Sequence, residues 1–163
     1  MEFKTNSGEK LSEVLAEQKV LLVFLRHFGC TFCRETMSDL SKVKHDLEMN
    51  GISIIVVHMI DFETAQEMLD VYGLSNVQHV SDKSKILYKQ YGLQNASVRA
   101  MFGLKNWWRA FAAGLIKGHL VGKPAGDPWQ MPGVFFIQNN QIINKFEYRY
   151  VSDKPDFRTL ARA

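Results

Sequence analysis

The sequence has few cysteines and prolines, and it has no long hydrophobic run. Its 163 residues include two cysteines and four prolines, so a disulfide-stapled secreted fold is not expected. The first apolar run, Val20 to Leu25, is much shorter than the ~20 residues that span a bilayer. The first eight residues are mostly polar and lack the apolar stretch of about seven residues that a secretory signal needs. We therefore expect a cytoplasmic protein, in a compartment that keeps thiols reduced.

The sequence also lacks an excess of charge of one sign. The 20 Lys and Arg residues nearly balance the 17 Asp and Glu residues, which leaves a net charge of +3. This balance does not demand a nucleic-acid partner, and none is predicted. The 46% of hydrophobic residues is enough to build a core and excludes a disordered chain. Because no internal repeat or linker divides the chain, we predict one domain over residues 1–163.

Strand and helix patterns alternate along the chain, as in an α/β fold. Strands are predicted at 19–25, 52–59, 77–80 and 134–137, with a last strand at 142–146, and helices at 6–18, 30–49, 61–72 and 86–91. The first helix has Asn6 and Glu9 as a potential capping pair. The turn Asn139-Asn140 between the last two strands is typical of a hairpin. The hairpin adds antiparallel pairing, so the sheet should be mixed.

The most informative feature is the C-x-x-C spacing of Cys30 and Cys33, between a buried strand and an amphipathic helix. Free N–H groups and the positive end of the dipole at a helix N-terminus stabilise a thiolate over a thiol. Two intervening residues let the second sulfur reach the first across one helical turn and close a disulfide. Arg26 and Arg34 are close in sequence and are candidates for supporting the thiolate. The pattern predicts thiol redox chemistry.

A second candidate segment is Met131-Pro132, directly before an apolar strand. Proline cannot donate to a sheet ladder, so Pro132 must lie at the start of that strand. We predict a cis peptide bond before Pro132, which exposes the backbone groups of Met131. These groups would then bind the main chain of a substrate.

Together these motifs resemble the thioredoxin-like superfamily. Residues 24–35, which read FLRHFGCTFCRE, and 126–135, which include Gln130-Met131-Pro132-Gly133, are similar to its peroxiredoxin-like (AhpC/TSA-type) and selenoprotein-L-like branch. The resemblance implies a thioredoxin-like α/β fold, with a central mixed sheet flanked by helices and a helical insert before the cis-Pro strand. It implies a thiol–disulfide oxidoreductase that cycles Cys30 and Cys33 between dithiol and disulfide. Because cysteine is itself the redox centre, no cofactor and no metal are predicted.

The chain departs from the peroxiredoxin pattern P-x-x-x-T-x-x-C. Aligned on Cys33, it has Arg26 at the proline position and Cys30 at the threonine position. The hydroxyl that orients a peroxide is therefore missing, so we favour disulfide exchange and keep a hydroperoxide-reducing thiol peroxidase as the alternative. Alignment with thioredoxins makes Cys30 the attacking cysteine and Cys33 the resolving one. Alignment with peroxiredoxins reverses these two roles. We favour Cys30, because the first sulfur of such a pair is usually the more accessible.

The predicted partners are a protein or small-molecule disulfide or a hydroperoxide as substrate, and a thiol electron donor such as a thioredoxin or glutathione system. A different interpretation is a redox-inactive thioredoxin-like binding module. A zinc site formed by His27, Cys30 and Cys33 is disfavoured, because a structural zinc site needs four ligands. His58, at the end of a buried strand, is interpreted as a hydrogen-bonded core histidine. No group of interacting side chains is predicted around His79.

The insert, residues 93–130, has apolar residues at spacings of three and four, which predicts an amphipathic helix. These residues are Met101, Leu104, Trp108, Phe111 and Leu115. Its polar positions are basic, which is also typical of helices that lie on membranes. We favour packing on the protein's own core over membrane contact.

Overall fold

The computed structural model describes residues 2–28, 31–96, 126–150 and 152–162. Within them lie five strands and five helices. The strands are β1 (Lys19–Phe24), β2 (Ile52–His58), β3 (Gln78–Ser81), β4 (Gly133–Gln138) and β5 (Gln141–Glu147). The helices are α1 (Leu11–Glu17), α2 (Thr31–Met49), α3 (Phe62–Val71), α4 (Ile86–Gln90) and α5 (Phe157–Leu160). None of these helices is long and apolar enough to cross a membrane. The insert helix predicted from Met101 to Leu115 lies outside the described residues.

The strands form one mixed sheet in the order β3-β2-β1-β4-β5. β1 is parallel to β2, and β2 is parallel to β3. β4 is antiparallel to both β1 and β5. The prediction of a mixed sheet flanked by helices is confirmed. β1 lies at the centre because its residues after Lys19 are apolar on both faces, and all of them are buried.

Alternate side chains of β1 enter two separate cores, one on each face of the sheet. Leu21 and Val23 pack with apolar residues of α2, α3 and α5. Leu22 and Phe24 pack with residues of α1 and α4 on the other face. Because successive side chains of a strand point to opposite faces, this one strand anchors both helix layers. The C-terminal end of β1 is thus held from both sides at the point where the loop to α2 begins.

The predicted capping pair at the first helix is wrong. α1 begins at Leu11, and no side chain caps it. The Asn6 side-chain oxygen instead accepts a hydrogen bond from the backbone N–H of His79 at 3.0 Å. Glu9 accepts one from the Ser7 hydroxyl at 2.8 Å. Bonds across to β3 and within the turn therefore replace the local helix cap.

The predicted cis bond before Pro132 is also wrong, since the described residues contain no cis peptide bond. The chain before Pro132 is extended and pairs with residues 94–96. The Met131 N–H donates to the Gln94 carbonyl at 3.1 Å, and the Ala96 N–H donates to the Trp129 carbonyl at 2.6 Å. A trans bond, which X–Pro favours by ≈ 0.5–1 kcal/mol, continues this extended path into β4.

The predicted hairpin is confirmed, with β4 and β5 joined by two residues. Asn139 and Asn140 have φ angles of 50° and 60°. Both central residues of a type I′ turn need a positive φ, and asparagine accepts this conformation more readily than most residues. The turn sequence therefore sets the register in which Gln138 pairs with Gln141.

This turn generates a prediction about stability. Replacing Asn140 with valine places a β-branched side chain at φ 60°, which is expected to lower the free energy of unfolding by about 1–2 kcal/mol. Asn140→Gly is the matched control, because glycine adopts this conformation without strain. Denaturant unfolding of the two variants measures the difference, and equal stability of the valine and glycine variants would contradict it.

Candidate active site

The candidate site lies where β1 ends and α2 begins. Cys33 is the third residue of α2, in the first turn, where backbone N–H groups lack partners within the helix. Only 4% of its surface is exposed. Cys30 and Gly29 lie outside the described residues, so the pairing of the two cysteines stays a prediction. The strand-to-helix junction that the sequence predicts for Cys33 is confirmed.

Arg26 and His27 are buried in the loop that follows β1, with 6% and 8% of their surfaces exposed. The Arg26 Nη2 atom lies 3.4 Å from His27 Nε2. Arg26 Nε and His27 Nδ1 are buried and have no hydrogen-bond partner among the described residues. In the described part of the chain, Arg26 forms no salt bridge. The guanidinium therefore brings a positive charge without a salt-bridge partner among the described residues to this loop, and its charge helps to lower the pKa of Asp127.

The environment of His27 keeps its imidazole neutral. Burial, and then the positive charge of Arg26, lower the pKa of His27 to about 4, although the charge of Asp127 opposes this shift. At neutral pH the ring is therefore uncharged. A neutral imidazole has one nitrogen that donates and one that accepts a hydrogen bond.

A short segment at Gly126 and Asp127 covers Arg26 and His27. Gly126 forms an antiparallel bridge with His27 and has a φ of 117°. A Cβ at Gly126 would lie 3.2 Å from the Arg26 carbonyl oxygen and 3.3 Å from His27 Cβ, so glycine allows this close approach. Asp127 binds the Lys85 Nζ atom at 2.6 Å. That hydrogen bond is the main cause of the lowered pKa of Asp127.

Arg34 is half-buried in the first turn of α2. Its Nε–H donates to the Phe28 carbonyl oxygen at 3.1 Å. This bond ties the helix back to the loop that precedes it. The role of Arg34 in supporting a thiolate stays a prediction, and the contact shows that its guanidinium also holds the backbone of the loop.

Tyr88 is a site residue that sequence reasoning missed. It is fully buried, and its hydroxyl lies 2.5 Å from the Leu25 carbonyl oxygen and 3.1 Å from that of Val57. Burial, followed by the charge of Cys33, raises the pKa of Tyr88. The buried Asp82 carboxylate accepts bonds from the Leu87 and Tyr88 backbone N–H groups at 2.7 and 3.3 Å. Tyr88 therefore anchors the ends of β1 and β2 beside the cysteine loop.

His58 and His79 form a buried hydrogen-bonded pair next to this loop. His58 Nε2 lies 2.8 Å from His79 Nδ1, and His79 Nε2 lies 3.1 Å from Gln66 Oε1. The His58 ring centroid is 6.0 Å from that of Phe28. The interpretation of His58 as a hydrogen-bonded core histidine is confirmed. The expectation that His79 belongs to no group of interacting side chains is wrong, because the parallel pairing of β2 with β3 brings the His58 and His79 rings together.

Met131 and Pro132 are buried at the start of β4. The Met131 N–H donates to Gln94, and the Met131 carbonyl accepts a bond from Gln130 Nε2 at 3.2 Å. A substrate strand would have to displace these bonds, so a substrate-binding role for this segment stays a prediction. In the parts of the chain that the structure describes, no three His, Cys, Asp or Glu side chains are grouped as metal ligands.

The mixed sheet with a cysteine-bearing helix after its central strand is a thioredoxin-like fold of the peroxiredoxin-like kind. Residues 2–146 match the model of the AhpC/TSA family. The chain belongs to that family.

The curated proteins that this chain resembles are distant from it in sequence. A prostamide/prostaglandin F synthase of Danio rerio is 26% identical over 167 residues, which cover 98% of this chain and 81% of that protein. Peroxiredoxin-like 2C of Bos taurus is 25% identical over 139 residues, which cover 77% of this chain and 58% of that protein. The chain thus spans less than two thirds of the second relative's length.

Solved structures with the same fold include both peroxiredoxins and a disulfide interchange protein. A cysteine-to-serine mutant of peroxiredoxin 6 from Arenicola marina has a TM-score of 0.68 at 15% identity, covering 99% of this chain and 67% of that one. A yeast mitochondrial 1-Cys peroxiredoxin has a TM-score of 0.64 at 13% identity, with 99% and 70% coverage. A Chlorobium tepidum protein described as a thiol:disulfide interchange protein has a TM-score of 0.57 at 15% identity, with 90% and 79% coverage. At these identities the likeness establishes the fold alone.

The histidine pair generates a prediction about pH. Burial and the neighbouring His79 lower the pKa of His58 from 6.5 to about 3. As the pH falls below 6.5, the unfolded chain takes up a proton that the folded chain does not. Each such proton lowers the free energy of unfolding by roughly 1.4 kcal/mol per pH unit. The contribution of His58 is therefore complete above pH 6.5 and is lost by about pH 3.

Denaturant unfolding at several pH values between 7 and 4.5 measures this slope. The pKa of Asp61 is lowered by the Thr64 backbone N–H. Carboxylates of this kind lose their own contribution to the free energy of unfolding at more acidic pH. His58→Gln keeps a donor near the Nε2 position but removes the titrating group, so its slope should be shallower. His45→Gln, on the exposed side of α2, is the control. Equal slopes for the wild type and His58→Gln would show that His58 is not held neutral.

Proposed function

We propose that this protein is a thiol–disulfide oxidoreductase in which Cys30 attacks the substrate and Cys33 resolves the intermediate. The observation that carries this proposal is the burial of Cys33 in the first turn of α2. A sulfur with 4% exposure is poorly placed to attack a protein disulfide itself. Cys30, three residues earlier in the sequence, is therefore the proposed attacking cysteine, since the first sulfur of such a pair is usually the more accessible.

The proposed reaction begins when the Cys30 thiolate attacks one sulfur of a substrate disulfide. The bond between the two substrate sulfurs breaks, one leaves as a thiolate, and a mixed disulfide with Cys30 forms. The Cys33 thiolate then attacks the Cys30 sulfur and releases the second substrate thiolate. The two cysteines, now joined as a disulfide, have given up two electrons, which an external thiol donor restores. A cytoplasmic location, with its pool of reduced thiols, fits this cycle.

Arg26 is proposed to favour the thiolate form of the attacking cysteine. Its guanidinium is buried, and no carboxylate among the described residues pairs with it. A positive charge in a poorly solvated site stabilises a nearby anion more strongly than it would in water. Arg34, from the first turn of α2, adds a second positive charge.

The second candidate function is reduction of hydroperoxides, and membership of the AhpC/TSA family favours it. In this reaction a cysteine thiolate attacks the O–O bond, an alcohol or water leaves, and a sulfenic acid forms. The second thiol then displaces water to close the disulfide. In the related yeast mitochondrial 1-Cys peroxiredoxin, the thiol is resolved via glutathione and thioredoxin systems, which supports a thiol donor here as well.

The experiment that separates these functions measures two activities on the same wild-type preparation. We expect thiol-dependent reduction of insulin disulfides at a rate well above peroxide consumption, with both activities lost in a Cys30→Ser, Cys33→Ser double variant. Faster peroxide consumption would select the peroxidase. No turnover with either substrate, together with unchanged partner binding by the double variant, would select the redox-inactive binding module.

Trapping of the intermediate tests the order of attack. Cys33→Ser removes the resolving thiol, so a mixed disulfide through Cys30 should accumulate and be visible by non-reducing electrophoresis and mass spectrometry. The matched variant Cys30→Ser should not accumulate one, because the buried Cys33 is left as the only thiol. Accumulation confined to Cys30→Ser would reverse the two roles.

A further inference from the structure

Lys85 has a backbone conformation that lysine rarely adopts. Its φ and ψ angles are 58° and 30°, in the left-handed region where a residue with a Cβ is strained. Lys85 directly precedes α4, but its side chain does not cap that helix. The Asp82 carboxylate instead accepts bonds from the first N–H groups of α4, those of Ile86 and Leu87, at 3.0 and 2.7 Å. Strain of this kind is typical of functional sites, which points to a role for the Lys85 side chain.

The Lys85 side chain binds Asp127, which is distant in the sequence. Lys85 Nζ lies 2.6 Å from Asp127 Oδ2, and only 26% and 28% of the two side chains are exposed. The other carboxylate oxygen, Oδ1, accepts a bond from the Trp129 backbone N–H at 2.8 Å. The hydrogen bond from Lys85 is the main cause of the lowered pKa of Asp127, and the charge of Arg26 adds a smaller contribution. Both oxygens of this carboxylate are thus engaged by groups other than Arg26.

Asp127 nevertheless lies beside the loop that leads to the cysteines. The bridge between Gly126 and His27 joins the two segments, and a Cβ at Gly126 would lie 3.2 Å from the Arg26 carbonyl oxygen. The charge of Asp127 acts on His27, and the charge of Arg26 acts on Asp127. Arg26 has no salt bridge within the described ranges, and the sequence of residues 97–125 contains no Asp or Glu. Asp127 is therefore the carboxylate for which Arg26 and Lys85 compete.

We infer that Lys85 is a positioning residue, which holds Asp127 so that this carboxylate does not pair with Arg26. A carboxylate paired with Arg26 would offset much of its charge at short range. With Asp127 held by Lys85, the guanidinium keeps a positive charge that can stabilise a thiolate. This consequence rests on the proposed function, in which Arg26 supports the attacking cysteine. The contact also gives a reason for a lysine at a position whose backbone favours glycine.

The competition for Asp127 is tested at neutral pH by the ¹H and ¹⁵N signals of the Arg26 guanidinium. The Cys30→Ser, Cys33→Ser double variant is the background, so the result does not depend on redox chemistry. Lys85→Met removes the charge, and we expect the released carboxylate to bind Arg26 and shift these signals. Adding Asp127→Asn should return them towards their original positions. Arg26 signals that Lys85→Met does not move would overturn the inference.

Lys85→Arg is the matched control in the same background. It keeps the positive charge, and it carries the same backbone strain as Lys85→Met because both side chains are unbranched at Cβ. The Arg26 signals should therefore stay close to their original positions. A shift as large as that in Lys85→Met would show that the backbone at this position matters and the charge does not, which contradicts the inference.

The consequence for the thiol is tested by the pH dependence with which iodoacetamide alkylates Cys30 in the reduced protein, followed by mass spectrometry. Lys85→Met should raise the pKa of this thiol by roughly half a unit or more, because positive charge near it is lost. At a pH below that pKa, the alkylation rate should fall about threefold or more. Asp127→Asn, added to Lys85→Met, should restore the rate, since Arg26 then has no carboxylate to pair with. Lys89→Met removes an exposed charge from α4 and should change nothing.

Two results of the alkylation experiment would contradict the inference. A slow rate in Lys85→Met that Asp127→Asn does not restore would mean that Lys85 acts directly on the thiol or through the fold. An equal loss in Lys89→Met would indicate a diffuse effect of charge. Failure of the proposed function is distinguishable from both, because the wild-type protein would then reduce no disulfides, while the Arg26 signals would still show whether Lys85 keeps Asp127 from this guanidinium.

Discussion

The structure depends on the burial of β1 from both sides. Its side chains reach into two cores, so the strand cannot shift by one residue without moving every apolar side chain to the wrong layer. The end of this strand is therefore a rigid point in the molecule. Tyr88 and the Val57 carbonyl strengthen it with hydrogen bonds to Leu25. The loop and helix that carry the cysteines start from this point.

A rigid strand end allows polar groups to be held in positions that a flexible loop could not maintain. Arg26 and His27 follow it directly and are more than nine-tenths buried, and within the described ranges two of their nitrogens have no hydrogen-bond partner. Such groups are unfavourable for folding, and the apolar layers around β1 offset this cost. Functional regions commonly retain groups that are unfavourable for folding, because the function needs them, and the buried polar groups of this site fit that pattern.

Much of the fold could be predicted from patterns in the sequence, and the failures have physical causes. β1 and the Asn139-Asn140 hairpin depend on local alternation and on turn residues, and both are confirmed. The capping role of Asn6 failed because a bond to His79, far along the chain, replaced the local one. The cis bond at Pro132 failed because pairing of Met131 with Gln94 keeps that segment extended.

By itself the sequence determined that Cys33 stands at a strand-to-helix junction, three residues after Cys30 in the chain, and that a central apolar strand precedes it. These features depend on residues close together in the chain, where spacing alone decides which groups can meet. Only the tertiary structure decided that Cys33 is buried, that Tyr88 lies at the end of β1, and that Arg26 has no carboxylate partner among the described residues. Burial and pairing of this kind arise from contacts between elements distant in sequence, so they depend on how the sheet and its helix layers pack.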